Sequence, residues 1–542
     1  MIEVGETALG RAADLFCDEK IRAEAPVPET AFTSPAEPVQ VLADARVREA
    51  RDQAQCAWED LVAHCVTAEG STFKFFEEDL RARLFTLGCL LATLFLCARE
   101  VAVARRVRQT VPADHRVKAP VPRTLTTSLG PVRYARTYLA RKVGYGGYFP
   151  LDVELGLTAD RFSTVLVGLG AQLATRMSYS SAVVLMGRML GTSPSVETLE
   201  KWVLGLGRQA SVYAEVAPPE DAEGHVLVIQ VDGRCIPTIT DDELSKRRGP
   251  RKQHDGTCRC GCQRHRGVQA RQRRGSKKRR LPGDKSKNGR SVTLVVMYTL
   301  RRTADGQLHG PLNKRVFGTL APRREAIAWA RREATRRGFP PGTRKQVQVV
   351  VDGELCLEAG LREAFPDADI TLDIRHVEEK LWHTGEAFHA AQTEELKMWV
   401  EHHRTLLYAG RARDLVQALD ALHAQLPTHA HRKRSRVAKL ANYLRKRLPM
   451  MNYKELIQRD LEIASGVVEG ATRYVIGERL DCSGMRWLEG RAEALLRLRC
   501  LELNGQWDSF LEWAQQDWLL RLSAKKPVRI RTVAPMDLSV AA

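Results

Sequence analysis

The sequence predicts a multidomain α/β protein built around a mixed β-sheet that a helical insertion interrupts. Two apolar runs, His225 to Gly233 and Gln346 to Gly353, each finish in Asp-Gly. Between and after them, segments of strand and helix periodicity follow in the order βββαβαβα. A long stretch from about His376 to Ile463 is helical throughout. With 542 residues the chain has room for several modules of ordinary domain size.

Taken in order, residues 1–45 hold Pro26, Pro28, Pro35 and Pro38 and show neither periodicity, so they read as a flexible leader. Residues 46–115 repeat apolar positions at helical spacing, as in Trp58, Leu61, Val62 and Cys65, and form an N-terminal helical module. Within it Leu84 to Ala98 is apolar for 15 residues between Arg83 and Arg99. A membrane span needs about 20, so the run is expected to be a buried helix and no membrane association is expected. Residues 120–155 alternate like strands and then reach Gly144-Tyr145-Gly146-Gly147, a small β element. Residues 160–215 accommodate three helices, with a break at Gly191-Thr192-Ser193-Pro194 and a new start capped by Ser195, the layout of a helix-turn-helix DNA-binding module.

The central sheet is expected in residues 224–380 and 461–510, with a helical insertion at 381–460 and a C-terminal helix end and tail at 511–542. Ser291 to Leu300 and Leu312 to Leu320 read as further strands, Arg323 to Arg337 and Glu354 to Phe365 as helices, and Asp369 to Asp373 as another strand. This order is that of an RNase H-like core.

The chain carries a formal charge of +19 and a pI near 9.6, which calls for a polyanionic partner. The charge is concentrated in a basic insertion at 244–290, where Lys246 to Arg290 holds eighteen Lys or Arg against Asp255 and Asp284. Such an arm gains from counterion release along DNA. The start of the chain lacks a charged-then-apolar signal, so a cytoplasmic, nucleoid-associated location is expected. Of the twelve cysteines, most are scattered and read as small core residues. Cys258, Cys260, Cys262 and His265 lie within the arm and offer a Cys3His set for structural Zn²⁺, in an unusual C-x-C-x-C spacing.

An acid at the C-terminal end of a buried strand keeps its backbone in the core and its carboxylate at the rim, so Asp232 and Asp352 on adjacent strands can face one metal site. Glu469, in Ser465-Gly466-Val467-Val468-Glu469-Gly470-Ala471, supplies a third carboxylate near a helix start, with small neighbours that allow close approach to a sheet. Each acid also has a plainer reading. Asp-Gly after a strand serves as a hairpin turn or helix entry, and Glu469 can pair with Arg473 four residues on.

These residues resemble the DDE transposases of bacterial insertion sequences, specifically the Kra-type group, which is distantly Mutator-like. The resemblance covers about Thr124 to Phe510 and is carried by Val231-Asp232-Gly233, Ser286 to Arg290, Val351-Asp352-Gly353 and Asp373-Ile374-Arg375-His376. Its most specific part is the Ser465 to Ala471 block followed by Arg479-Leu480, Ser483 to Trp487, Leu496 to Arg499 and Leu503 to Trp507. The family's paired-cysteine element before Pro150-Leu151-Asp152 has no counterpart in Tyr138 to Gly147.

The resemblance implies a catalytic triad of Asp232, Asp352 and Glu469 that holds Mg²⁺ or Mn²⁺, and an auxiliary D-x-x-H pair, Asp373 and His376. It implies metal-dependent cleavage at terminal inverted repeats and transfer of the freed 3′-OH to target DNA, by a homo-oligomer on double-stranded DNA. Lys285, Lys287, Arg290, Arg473, Arg479 and Arg486 are candidate phosphate contacts. Two rival readings are a catalytically silent DNA-binding protein derived from such an enzyme, and an RNase H-like structure-specific nuclease.

Overall fold

The computed structural model describes residues 40–68, 72–144, 146–217, 224–241, 244, 289–340, 342, 345–482 and 485–523. The Cys258–His265 set, Lys285 and Lys287 lie outside the described residues. The chain divides into two units, one reaching to Arg161 and the other running from Phe162 to Arg521.

In the first unit, helices α1 (Ala45–Thr67) and α2 (Phe73–Gln109) precede an antiparallel sheet of β1 (His115–Thr127), β2 (Gly130–Arg141) and β3 (Gly147–Tyr148), then α3 (Pro150–Glu154). Asp44 caps α1 by accepting from the Arg46 amide. Buried Glu100 of α2 accepts from the Thr137 amide and hydroxyl at 2.7 and 2.6 Å, fastening helix to sheet. The apolar run of α2 departs from expectation. Only Leu87 and Leu96 of Leu84 to Ala98 are buried, while Leu84, Leu91 and Phe95 are about half exposed. One small sheet covers only one side of a helix that is apolar all round, so the remaining faces stay outside. By length and composition alone α2 is also long enough to cross a membrane, because it extends well past the 15-residue run.

The second unit is a five-stranded mixed sheet of order β6-β5-β4-β7-β8. It comprises β4 (Val226–Pro237), β5 (Gly289–Arg302), β6 (Leu308–Thr319), β7 (Gln346–Val351) and β8 (Asp369–Leu372). β4 pairs antiparallel with β5 and parallel with β7, and β7 pairs parallel with β8. Side chains alternate across the pleat. Leu227, Ile229, Val231, Val349 and Val351 enter one core, and Val226, Val228 and Val350 enter the other.

On the first of these faces lie α7 (Arg323–Arg336), α8 (Leu355–Ala364), α9 (Ile374–Gly385), α10 (Glu394–Tyr408), α11 (Ala412–Gln425), α12 (His431–Arg445) and α13 (Tyr453–Gln458). The other face receives α4 (Thr164–Arg176), α5 (Tyr179–Leu190) and α6 (Val196–Val216). It also receives α14 (Gly466–Ala471), a π-helical turn Thr472–Gly477, α15 (Glu478–Leu480), α16 (Glu489–Leu503) and α17 (Trp507–Ser523).

Ser195 caps α6 through the Thr198 amide, as its sequence suggests. The three helices at 160–215 are not a separate body, however. They share one core with the sheet, and α6 passes so close to α16 that a Cβ on Gly207 would fall 2.5 Å from that of Ala494. The cysteines also differ from expectation: among those described only Cys500 is buried, and Cys56, Cys65 and Cys235 are exposed.

Candidate metal centre

β4 does not end at Asp232 as its Asp-Gly suggests but continues to Pro237, because its antiparallel partner β5 runs alongside as far as Gly289. What ends there is the parallel pairing with β7, whose last matched pair is Val231 and Val351. Asp232 and Asp352 therefore each follow the last matched pair of two neighbouring parallel strands. By alternation Asp232 falls on the face that carries Gln230, the face covered by α14, and Asp352 is the first residue beyond β7. Beyond Val351 the chain does turn, with Gly353 at φ +85°, and Asp352 Oδ1 accepts from the Glu354 amide at 3.0 Å.

Two glutamines that interrupt otherwise apolar strands fasten the segment leading to Glu469 across the sheet. Gln230 donates to the Ala464 carbonyl and accepts from the Val468 amide at 2.9 Å. Gln348 donates to the Glu462 carbonyl and accepts from the Glu462 amide at 3.0 Å. Both are fully buried, so each replaces water as a partner for backbone groups in the core.

Asp373 caps α9 through the Arg375 amide with Oδ1. Its Oδ2 accepts from Ser465 Oγ and is 2.9 Å from His376 Nδ1. Ser465 Oγ also lies 3.2 Å from Glu469 Oε1. Burial pushes the Asp373 carboxyl upward, but the hydrogen bonds from His376, Ser465 and the Arg375 amide outweigh it and hold the group below its ordinary range. The same bond to Asp373 raises His376 above the usual imidazole value against the effect of burial, and the charges of Asp373, Glu379 and Asp352 add to the rise.

Ligand atoms of Asp373, His376 and Glu469 lie within 4.8 Å of one another, a group able to hold a metal ion. Asp232 and Asp352 lie outside that close group but are tied to it. Thr472 Oγ1, three residues after Glu469, donates to Asp232 Oδ2 at 2.8 Å. Tyr443 of α12 donates to the Asp352 carbonyl at 3.1 Å, and burial pushes its phenol up to about 12, so it stays a donor. Arg447 donates to the neighbouring Gly353 carbonyl at 2.8 Å.

The arginines expected as phosphate contacts separate into two kinds. Arg290, Arg473 and Arg486 are exposed, Arg290 pairing with Glu489. Arg479 is 1% exposed, donates to the Ala174 carbonyl and lies over the Trp487 ring, so it is a core residue and no phosphate contact. Arg499 is buried too, and it donates to the Tyr474 and Val475 carbonyls. Those carbonyls belong to the π-helical turn after Glu469, whose wider i→i+5 spacing leaves carbonyls in need of donors. Sequence reasoning missed Gln230, Gln348, Ser465, Thr472 and Tyr443. The glutamines had a usable signal, an amide side chain inside a run otherwise fit only for a core.

Comparison with known proteins finds no matching family model and no significantly similar curated protein.

Proposed function

We propose that this chain is a DDE-type transposase with an RNase H-like catalytic core, in which Asp232, Asp352 and Glu469 hold Mg²⁺ or Mn²⁺. The observation that supports the reading is the linkage of three acids from distant parts of the chain near the point where the pairing of β4 with β7 ends. Asp232 and Asp352 follow matched positions on parallel strands, and Glu469 sits on the helix bonded to Asp232 through Thr472.

The donor chemistry fits a hard cation. Among the described residues Oδ2 of Asp352 and Oε2 of Glu469 have no hydrogen-bond partner, whereas both oxygens of Asp232 and of Asp373 accept hydrogen bonds within the protein. Carboxylate oxygens are the ligands Mg²⁺ prefers, so this reading gives the imidazole of His376 a supporting role through its bond to Asp373. When bound, paired divalent ions activate the attacking oxygen and stabilise the leaving one.

In the first step a water oxygen attacks phosphorus at the element end, forming a P–O bond as the bond to the 3′-oxygen breaks and that oxygen takes up a proton. In the second the freed 3′-OH attacks a target phosphodiester, a target 3′-oxygen leaves, and the proton count again balances. Arg473 and Arg486, exposed after the Glu469 helix, supply positive charge for phosphates. The helix pair α5–α6 offers less as a DNA reader, since the exposed side of α6 carries Glu197, Lys201, Arg208 and Glu215 with no net charge. The active form is proposed to be an oligomer that holds duplex element ends and target DNA.

The test is cleavage of duplex DNA carrying element ends, with hybrid and branched substrates alongside. Asp232→Asn, Asp352→Asn and Glu469→Gln are expected to abolish metal-dependent cleavage while end binding persists. Full activity in any of them refutes that residue's assignment, and cleavage confined to hybrid or branched substrates refutes transposition.

A further inference from the structure

From Ala421 to Lys454 the chain contains nine Lys or Arg and no Asp or Glu. Most of this charge falls on α12 and its end, where it divides by face. Arg434 donates to the carbonyls of His423 and Leu426, and Arg436 to that of His383. Arg445 pairs with Asp420, Arg447 holds the Gly353 carbonyl, and Lys433 lies over the Phe388 ring. Five cations are thus used within the protein.

Arg432, Lys439 and Lys446 are exposed and form no ion pair or hydrogen bond among the described residues. They recur every seven residues, so they stand on one face, opposite the core positions Val437, Leu440 and Leu444. Exposed Ser435 and Asn442 fall between them on the same stripe. At 1.5 Å per residue the three cations are about 10 Å apart and span about 21 Å, the axial length of about six base-pair steps. One edge of the stripe borders Tyr443 and Arg447, which grip the Asp352–Gly353 turn.

We propose that this stripe of α12 is a docking surface for the phosphate backbone of duplex DNA, leading it toward the Asp352 turn. The proposal rests on the reading of Asp232, Asp352 and Glu469 as a DNA-cleaving site. Three unpaired cations on one helix face, spaced by hydrogen-bonding side chains and free of acids, suit a regular polyanion better than an acidic peptide, whose carboxylates follow no fixed 10 Å rise. Contacts to phosphates rather than bases make the surface a positioning one, indifferent to sequence.

The experiment compares the full chain with the triple variant Arg432→Gln/Lys439→Gln/Lys446→Gln, titrating a labelled DNA duplex by fluorescence anisotropy across a salt series. Each phosphate contact contributes about 0.9 to the slope of log affinity against log salt, so the variant should lose about 3 in slope and bind more weakly at low salt. Lysine and arginine exchanged at the same three positions should keep the slope. An unchanged slope in the glutamine variant overturns the proposal, as does a loss confined to duplex RNA.

Two further arms separate this surface from the cleavage reading. Asp352→Asn should keep the full slope, and a normal stripe effect in a chain that never cleaves DNA would sink the catalytic reading while upholding the stripe. Should the triple variant fail to fold, Ser435→Cys carrying a photocrosslinker leaves all cations in place. It should crosslink to duplex DNA, and failure to do so refutes the docking surface.

Discussion

The amide of Val468 donates to Oε1 of Gln230 at 2.9 Å, and this bond ties the helix of Glu469 to the strand of Asp232. The same side chain donates to the Ala464 carbonyl, so one buried amide serves both ends of the turn into that helix. Gln230→Leu preserves bulk but orphans the Ala464 carbonyl, at about 1–3 kcal/mol, and leaves the Val468 amide with the Ser465 carbonyl as its acceptor. Urea unfolding should show a lowered midpoint together with loss of cleavage, and an unchanged midpoint would show that the glutamine does not hold the segment.

Thr472 acts more locally. Thr472→Val keeps the shape of a nearly buried side chain while removing the hydroxyl that donates to Asp232. The cleavage rate is expected to fall about tenfold, equivalent to about 1.4 kcal/mol, with DNA affinity intact. Thr472→Ser should restore it. Equal rates in all three proteins would remove Thr472 from the site.

How much of this could be read from sequence depends on whether a local pattern carried the information. The Asp352-Gly353 turn was legible because a left-handed glycine after a buried strand leaves a local mark. Asp232-Gly233 carries the same mark without the turn, since β5 continues to pair beside it, and no local pattern reports where a neighbour strand stops. Arg479 was misjudged for a similar reason. Its position after Glu469 suggested phosphate, but Ala174 and Trp487, distant in sequence, enclose it. The bonds that place Glu469 join residues more than 90 apart, as between Ser465 and Asp373, and arise only from the fold.

Behind the sheet, fully buried Glu333 accepts from Arg315 and Arg337, each at 3.0 Å. Glu333→Gln leaves buried guanidinium charge uncompensated and should cost about 3–5 kcal/mol in chemical denaturation. Burial alone would raise the Glu333 carboxyl, but Arg315, Arg337 and Arg336 together bring it below the ordinary value. A depressed folded pKa gives stability that is present above the unfolded value and lost as pH falls through the folded one. The gap between wild type and Glu333→Gln should therefore narrow below about pH 4. A gap independent of pH would contradict the ion pairing.

The hold of α12 on the second acid can be tested at Gly353. Its φ of +85° disfavours any side chain, and a Cβ there would lie 2.6 Å from both Arg447 Nε and Tyr443 Oη. Gly353→Ala should destabilise the fold by about 1–3 kcal/mol and expose the helical insertion to limited proteolysis. Wild-type protease resistance would show that the turn does not depend on this contact.

The central claim is that Asp232, Asp352 and Glu469 share one divalent-metal site. Fe²⁺ with ascorbate and peroxide cuts the backbone beside the ion that it replaces, and mapping the cuts reads the site without relying on catalysis. The account predicts cuts beside Asp232, Asp352 and Glu469 together, suppressed by Mg²⁺ and lost in Asp352→Asn. Cuts confined to Asp373, His376 and Glu469, insensitive to Asp352→Asn, would contradict it.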